Sequence, residues 1–173
     1  SFFLWSSLPD EELLSLAEKN ELARPDVLRA QIHRLLTDDR VERFATEFMG
    51  NWLDFRRFSE HNAVDRGRFP QFTPELRDAM FQEPIRYLIA GIQENRPALE
   101  LIAGQHTYVN GVLARHYGFP ITEPSAGWWR VDNASEHGRG GLLAMSVFLT
   151  KNSPGLRTSP VKRGYWVVKR VLG

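Results

Sequence analysis

An arginine-rich segment near the end of the chain has the residue types and the spacing to hold an anion. It comprises Arg157, Thr158 and Ser159, followed by Arg163. Ser159 precedes a proline, a pair typical of a helix start, so the two arginines would lie on either side of a helix N-terminus. Guanidinium groups bind carboxylates through paired hydrogen bonds. The segment predicts a clamp for a carboxylate of a neighbouring domain or for an anionic ligand, and domain docking is favoured over catalysis.

A second candidate for anion binding is the triplet Arg139, Gly140 and Gly141. Its backbone amides could face an anion if a helix starts there. The triplet lacks the longer pattern of a phosphate-binding loop, so it is a weak signal by itself. We therefore group Arg139 with the arginine-rich segment as a candidate docking residue.

Two of the five histidines, His106 and His116, are the candidates for haem or metal binding. They flank Asn110, a residue typical of a helix N-cap, so folding could bring them together. No two histidines are three or four residues apart, which is the spacing that places two ligands on one helix face. Non-covalent haem or metal binding by this pair is therefore an alternative and not the leading hypothesis.

Composition excludes several classes of protein. The 173 residues contain no cysteine, so disulfides, thiolate metal sites, iron–sulfur clusters and thioether-attached haem are excluded from them. The 22 basic and 21 acidic side chains give a formal charge of +1, which provides no overall field for nucleic acid. The longest uncharged stretch, residues 101–114, is too short and too polar to span a membrane. We expect no cofactor within these residues, no nucleic-acid partner and no membrane span.

No residue can be assigned a catalytic role from the sequence. Acidic residues cluster at expected helix starts, where the helix dipole favours negative charge. No Gly-x-Ser-x-Gly motif occurs, so Ser146 and Ser159 lack the setting of a serine nucleophile. The adjacent indoles of Trp128 and Trp129 could leave one ring exposed, either for packing against a partner domain or for stacking on a sugar. Whether the protein is an enzyme stays open.

The elements that must position these residues are predicted to be helices. Hydrophobic residues at helical spacing, together with capping residues, predict a short helix after Ser7, a helix starting at Pro25, the strongest amphipathic helix over residues 39–55, a long helix starting at Pro74, a helix capped by Asn110 and a final helix starting at Pro160. Short extended segments are expected at residues 106–109 and 128–131. The sequence predicts a mainly α domain of about seven or eight short helices with at most a small two-stranded element.

Two of these helices carry more specific expectations. Pro84 lies inside the long helix, where it removes a backbone donor, so a kink or a break is expected there. In the final helix, Val161, Tyr165, Val168 and Leu172 form one apolar stripe, which is typical of a face packed on a core.

Several segments resemble known families. The first thirteen residues, residues 48–53, Tyr108-Val109-Asn110 and residues 113–118 resemble a planctomycete-type domain of unknown function of the PSD group. Residues 139–143, 157–167 and the final Leu172-Gly173 resemble its usual neighbour, the planctomycete cytochrome C domain of the PSCyt group. The resemblance implies a PSD-like helical domain over residues 1–124 and a PSCyt-like segment over 125–173, packed as one globular unit.

The resemblance also implies a setting. It places the chain in a large multidomain protein of the bacterial periplasm or cell envelope, in which haem c lies elsewhere in the polypeptide because no Cys-x-x-Cys-His occurs here. Expected partners are the flanking domains and possible c-type cytochrome domains. The leading hypothesis is a non-catalytic structural or docking module associated with electron transfer. The alternatives are a non-covalent haem or metal module and part of an extracellular polymer-degrading enzyme.

Overall fold

The computed structural model describes residues 1–121 and 127–173. These residues form helices α1 (Phe2–Trp5), α2 (Glu11–Glu18), α3 (Pro25–Thr37), α4 (Val41–Trp52), α5 (Pro74–Gln93), α6 (Glu100–Ala103), α7 (Gly111–Tyr117), α8 (Ser146–Lys151) and α9 (Pro160–Trp166), with a π-helical continuation over Val167–Leu172. Strands β1 (Thr107–Val109) and β2 (Trp129–Val131) pair in one antiparallel sheet. The prediction of a mainly α fold with a small two-stranded element is confirmed.

The first three helices pack around a small core of their own. Trp5 is fully buried and packs with Leu13 and Leu35. Its indole N–H donates to the Leu35 carbonyl at 2.8 Å, and the Arg40 guanidinium lies 3.3 Å from the ring centroid. The buried indole has its N–H hydrogen-bonded and a cation over its ring face, and both contacts stabilise the packing of α1 against α3 and the turn that follows it.

Side-chain caps determine where the helices begin. The Asp10 carboxylate accepts from the Leu13 amide at 3.1 Å, so α2 begins at Glu11 and its cap is Asp10, not Ser7 as predicted. The guanidinium of Arg34 binds the same carboxylate and lowers the pKa of Asp10 to about 2. Asp10 therefore both starts a helix and ties it to α3.

Helix α5 lies at the centre of the molecule and contacts α4, α7, α8 and the sheet. It continues unbroken through Pro84, so of the predicted kink or break the break does not occur, and the kink stays a prediction. A proline inside a helix removes one backbone hydrogen bond, and here Met80 on one side of it and Ile85 on the other are buried in the same core. Packing on both sides holds the helix together across the missing bond.

Strand β1 lies between α6 and α7 in the chain and pairs with β2, which follows α7. Thr107 lies opposite Val131 and Val109 opposite Trp129 in the antiparallel register. Immediately after β1, the Asn110 side chain accepts from the Leu113 amide at 3.0 Å and starts α7, as the sequence predicts. The sheet thereby fixes the position of the residues at the start of α7.

Helices α8 and α9 pack on the main core. The Trp166 indole stacks on Phe148 with ring centroids 4.7 Å apart, and its N–H donates to the Leu53 carbonyl at 2.9 Å. Phe148 in turn meets Phe55 edge-on at 5.4 Å. The predicted boundary at residues 124 and 125 lies outside the described residues, so the division of the chain into two segments stays a prediction.

The predicted apolar stripe of the last helix does not face the core. Val161, Tyr165, Val168 and Leu172 are all exposed, with Val161 at 82%. The helix is docked by a different face, on which Trp166 is buried and Val167 and Val171 pack against the core. The sequence carries two apolar faces here, and the large hydrogen-bonded indole gains more from burial than the smaller side chains of the other face.

Within the described ranges, no helix combines the length and the hydrophobicity needed to cross a membrane.

Candidate functional site

The predicted anion-binding residues meet at a cavity of about 430 Å³. Its walls come from the loop before α5, from α5 and α8, and from residues 153–158 between α8 and α9. Arg139, Arg157, Thr158 and Arg163 line it, and His116 lies at the same cavity. We call it the arginine cavity.

Arg139 and Arg163 are each held by one hydrogen bond to a neutral oxygen. Arg139 donates to the Ala144 carbonyl at 2.9 Å, and its guanidinium lies 4.3 Å from the centroid of the Tyr117 ring. Arg163 donates to the Ser153 hydroxyl at 3.3 Å, while its buried Nε has no acceptor among the described residues. Each cation is therefore positioned without being neutralised.

Arg157 is exposed and lies at the same cavity. Within residues 1–121 and 127–173, no carboxylate forms an ion pair with any of the three arginines. By contrast, Arg34 and Arg40 are paired with acidic residues of the first helices. The arginine cavity thus gathers three arginines that form no ion pair with a carboxylate of the described residues, a setting that favours an anion from outside.

Ser159 does not line the arginine cavity. Its hydroxyl accepts from the Lys162 amide at 3.3 Å and starts α9. The cap predicted from the Ser-Pro pair is therefore confirmed, while the predicted part of Ser159 in the clamp stays a prediction. Thr158, the preceding residue, does line the cavity.

The glycines after Arg139 have a structural role. Gly141 has a φ of 63°, and a Cβ there would overlap the backbone carbonyl of Ile102. Gly140 has a φ of 113° and lies against the carbonyl of Gly104. The helical segment that follows, Leu142–Ala144, is a single 3₁₀ turn. Close backbone packing in a conformation available to glycine accounts for this pair, and its consequence for the site is the placement of Arg139.

The structure places the two candidate histidines in different surroundings. His106 is buried, stacks on Tyr87 with ring centroids 4.7 Å apart and lines a second cavity of about 330 Å³. Burial, followed by the nearby Arg130, lowers the pKa of His106. His116 lines the arginine cavity, where desolvation and then Arg139 lower its pKa, although part of the residue stays exposed. The pair is not assembled at one cavity.

No group of three or more histidine and acidic side chains in the described residues could hold a metal ion. Haem or metal binding therefore stays a prediction, and its two candidate residues, His106 and His116, lie at different cavities.

The indoles of Trp128 and Trp129 are half-buried and pack against the main core. The Arg86 guanidinium lies 5.9 Å from the Trp128 ring centroid. Neither tryptophan lines the arginine cavity, so the structure does not bring them together with Arg157 there.

A buried carboxyl lies behind the arginine cavity, and it was missed at the level of sequence. Glu83 is 1% exposed and accepts from the Thr107 hydroxyl at 2.6 Å and from the Tyr117 hydroxyl at 2.5 Å. The Tyr117 oxygen accepts in turn from the Ser146 amide at 2.9 Å. The network joins α5, β1, α7 and α8. The available signal was spacing, because Glu83 follows the core residue Met80 by three positions on one helix face.

Burial raises the pKa of Glu83 to about 7, against the lowering effects of its two hydrogen bonds and of Arg139. Such a value would suit a general acid or base, but Glu83 is not among the residues that line the arginine cavity. Its position supports a structural role in which it fixes Tyr117, the ring on which Arg139 rests.

The family described as protein of unknown function (DUF1592), PSD4, matches residues 1–119, well over half of the chain. The chain belongs to this family. The predicted resemblance to the PSD group is thereby confirmed, whereas the resemblance of residues 125–173 to a cytochrome C domain has no such match and stays a prediction. No match to the chain was found among curated proteins or among solved structures.

Most of the apolar residues of the arginine cavity and all of its arginines come from different parts of the chain relative to the DUF1592 match. The matched residues supply His116 and much of the apolar wall, including Phe72 and Met80. The three arginines all follow residue 119. The positive charge of the cavity is therefore added to the DUF1592 domain by the part of the chain beyond the match.

Gly155 fixes the loop of residues 153–158 that carries Arg157. A Cβ at Gly155 would overlap the carbonyl oxygen of Ala63, and backbone cannot move aside as a flexible side chain can. We expect Gly155→Ala to destabilise the protein by about 1–3 kcal/mol, measured by urea unfolding followed by circular dichroism.

The matched control is Gly164→Ala in α9, where an added Cβ meets nothing within 4 Å. Because alanine loses less backbone entropy than glycine in a helix, we expect this change to stabilise the protein by about 0.5–1 kcal/mol. Equal effects of the two substitutions would show that the contact with Ala63 does not hold the loop.

Proposed function

We propose that this chain of the DUF1592 family is a non-catalytic docking module of a larger polypeptide and that its arginine cavity receives an acidic group of a neighbouring domain. The observation that carries the proposal is the convergence of Arg139, Arg157 and Arg163 on one cavity with no carboxylate paired to them among the described residues. Complementary charges across an interface speed the encounter of the partners and exclude wrongly charged ones.

Docking is favoured over catalysis because the described cavity lacks an activated nucleophile. Ser146 and Ser153 line it, but in the described residues neither makes a hydrogen bond to a histidine. The Ser153 hydroxyl instead donates to the Leu149 carbonyl at 2.7 Å. A serine without a hydrogen-bonded base is a poor nucleophile near neutral pH.

The resemblance supports a more specific setting for the same module. We propose that the parent protein is extracytoplasmic, in the periplasm or cell envelope of a bacterium, and that the docked partner is a flanking domain or a c-type cytochrome domain. In that setting the module holds redox domains at a fixed distance for electron transfer, and haem c is carried elsewhere in the polypeptide.

The test is binding in trans between the 173-residue chain and the parent polypeptide from which these residues are deleted, measured by calorimetry. We expect Arg157→Glu combined with Arg163→Glu to weaken binding by at least about thirtyfold, because an attractive contact becomes a repulsive one. Arg157→Glu alone, at an exposed position, is expected to weaken binding by about tenfold.

Arg29→Glu is the matched control, since Arg29 is an exposed arginine that does not line the arginine cavity. It should bind like the wild type and keep the same dependence on salt. Undiminished binding by the folded double variant would refute docking at the cavity.

A further inference from the structure

The floor of the arginine cavity is apolar, which an anion alone does not require. Phe72, Leu76 and Met80 line it and are 7%, 4% and 2% exposed, and Phe69 and Leu149 add further hydrocarbon. Phe69 and Leu149 are partly exposed and Leu156 is 57% exposed, and a hydrated inorganic anion or a single acidic side chain would leave this apolar surface uncovered. The floor therefore indicates that the bound group carries a hydrophobic body next to its charge.

The charged side of the cavity provides hydrogen-bond donors next to the apolar floor. The Nε of Arg163 is buried and has no hydrogen-bond partner among the described residues, and its neighbouring Nη2 uses only the Ser153 hydroxyl. The described residues use a single N–H of this guanidinium, so other donors of Arg163 remain for a ligand oxygen. Arg163 belongs to α9 and lines the same cavity as the apolar floor.

Charge and size further restrict the class of ligand. His116 has a lowered pKa and so adds no positive charge at neutral pH, which leaves the three arginines as the cations. A singly charged carboxylate tolerates an apolar neighbour better than a phosphate dianion does, because it loses less hydration on entry. A cavity of about 430 Å³ is large enough for an aromatic side chain together with a carboxylate.

We infer that the arginine cavity recognises a peptide segment of the neighbouring domain in which a large aromatic or aliphatic side chain stands beside a carboxylate. The inference rests on the proposed docking function and specifies the partner's chemistry. The apolar side chain lies against Phe69, Leu149 and Leu156 on the apolar floor. The carboxylate accepts from Arg163 and, at the rim, from Arg157.

The inference is tested with four short blocked peptides titrated into the ¹⁵N-labelled 173-residue chain. The probes contain Phe-Glu, Ala-Glu, Phe-Gln or Ala-Gln at the centre of an otherwise identical glycine-serine peptide. We expect the Phe-Glu peptide to bind at least about tenfold more tightly than either single replacement. The chemical-shift changes that this peptide causes in the labelled protein should be largest for residues 153–158 and for α8. Arg163→Gln should remove most of the preference for Glu over Gln, whereas Arg29→Gln should leave it intact.

Each other outcome overturns the inference in a recognisable way. Equal binding of the Phe-Glu and Ala-Glu peptides would leave an anion site without apolar recognition, and the proposed docking function would stand. Equal binding of the Phe-Glu and Phe-Gln peptides would leave an apolar site and would contradict the role of the arginines. Tight binding of 4-phenylbutyrate without binding of any peptide would identify a small carboxylic acid as the ligand. No binding of any probe would refute the inference, while docking is decided separately by the experiment in trans.

Discussion

The wild-type protein is expected to lose the stability that Glu83 contributes as the pH rises from about 4.5 to about 7, and replacing Glu83 with glutamine should remove this loss. In the folded protein, burial raises the pKa of Glu83 from 4.5 to about 7. Within this window the folded state holds a proton that the unfolded state has lost, so the stabilising contribution is complete below pH 4.5 and is lost as the pH rises through 7. At about 1.4 kcal/mol per pH unit, the loss amounts to roughly 3 kcal/mol.

Glutamine can keep the hydrogen bonds of the buried network. Its amide oxygen can accept from the Tyr117 hydroxyl, and its amide nitrogen can donate to Thr107 Oγ1, the two groups that Glu83 contacts. We therefore expect Glu83→Gln to fold and to be more stable than the wild type at pH 8. Glu83→Ala should instead lose about 2–4 kcal/mol even at pH 5, because it leaves a cavity and two hydroxyl groups without their acceptor.

The measurement is urea unfolding from pH 4.5 to pH 8.5, with the wild type subtracted from the variant at each pH. The subtraction is needed because the lowered pKa values of His61, His106 and His116 act in the opposite direction and raise stability with pH. Glu136→Gln, which changes an exposed carboxylate, is the control and should follow the wild type. A difference between Glu83→Gln and wild type that does not change with pH would contradict the assignment.

Local signals in the sequence predicted the helices well because they depend on neighbouring residues. Thr73 and Asn110 cap the helices that follow them, and the helix from Pro25 begins where its proline indicates. Pro84 shows the limit of such signals. Its local cost is real, but the core on both sides of it decides whether the helix continues.

Long-range packing accounts for what the sequence did not predict. Glu83 looks like an ordinary surface residue until Thr107 and Tyr117, which follow it by 24 and 34 residues, supply its hydrogen-bond partners. The last helix has two apolar faces, and only the tertiary structure shows that the face containing Tyr165 is exposed.

The candidate site was predicted in part. The sequence identified Arg139, Arg157 and Arg163 as candidates for one function, and the structure places all three at one cavity. It could not show the apolar floor, because Phe72, Leu76 and Met80 reach the cavity from a different part of the chain. It also grouped Ser159 with the arginines, since a residue that caps a helix and one that binds an anion have the same side-chain chemistry.

Replacing Trp166 with alanine is expected to destabilise the protein by about 3–5 kcal/mol, the largest effect of any substitution considered. The indole is 5% exposed and stacks on Phe148. Its N–H donates to the Leu53 carbonyl at 2.9 Å, so the substitution also leaves a buried carbonyl without its partner. Trp166→Phe keeps most of the stacking and loses the hydrogen bond, and it should cost about 1–2 kcal/mol.

The neighbouring residue provides a matched control. Tyr165 is also aromatic and lies in the same helix, but it is 69% exposed, so Tyr165→Ala should change the stability by less than about 0.5 kcal/mol. Thermal unfolding followed by circular dichroism separates the two cases, since each kcal/mol shifts the melting temperature by about 2–4 °C in a protein of this size.

The same experiment tests whether the segment after the DUF1592 match folds together with the matched domain. Trp166 contacts Leu53 and Phe148, which lie on either side of residue 119. If the two segments fold together, the loss of Trp166 should lower the melting temperature of a single cooperative transition. Amide exchange in α4 and α5 should then accelerate together with exchange in α8 and α9. If Trp166→Ala instead produces a separate early transition confined to α8 and α9, the two segments are independent folding units. The arginine cavity, whose charges come from one segment and whose floor comes mostly from the other, would then form only when they dock.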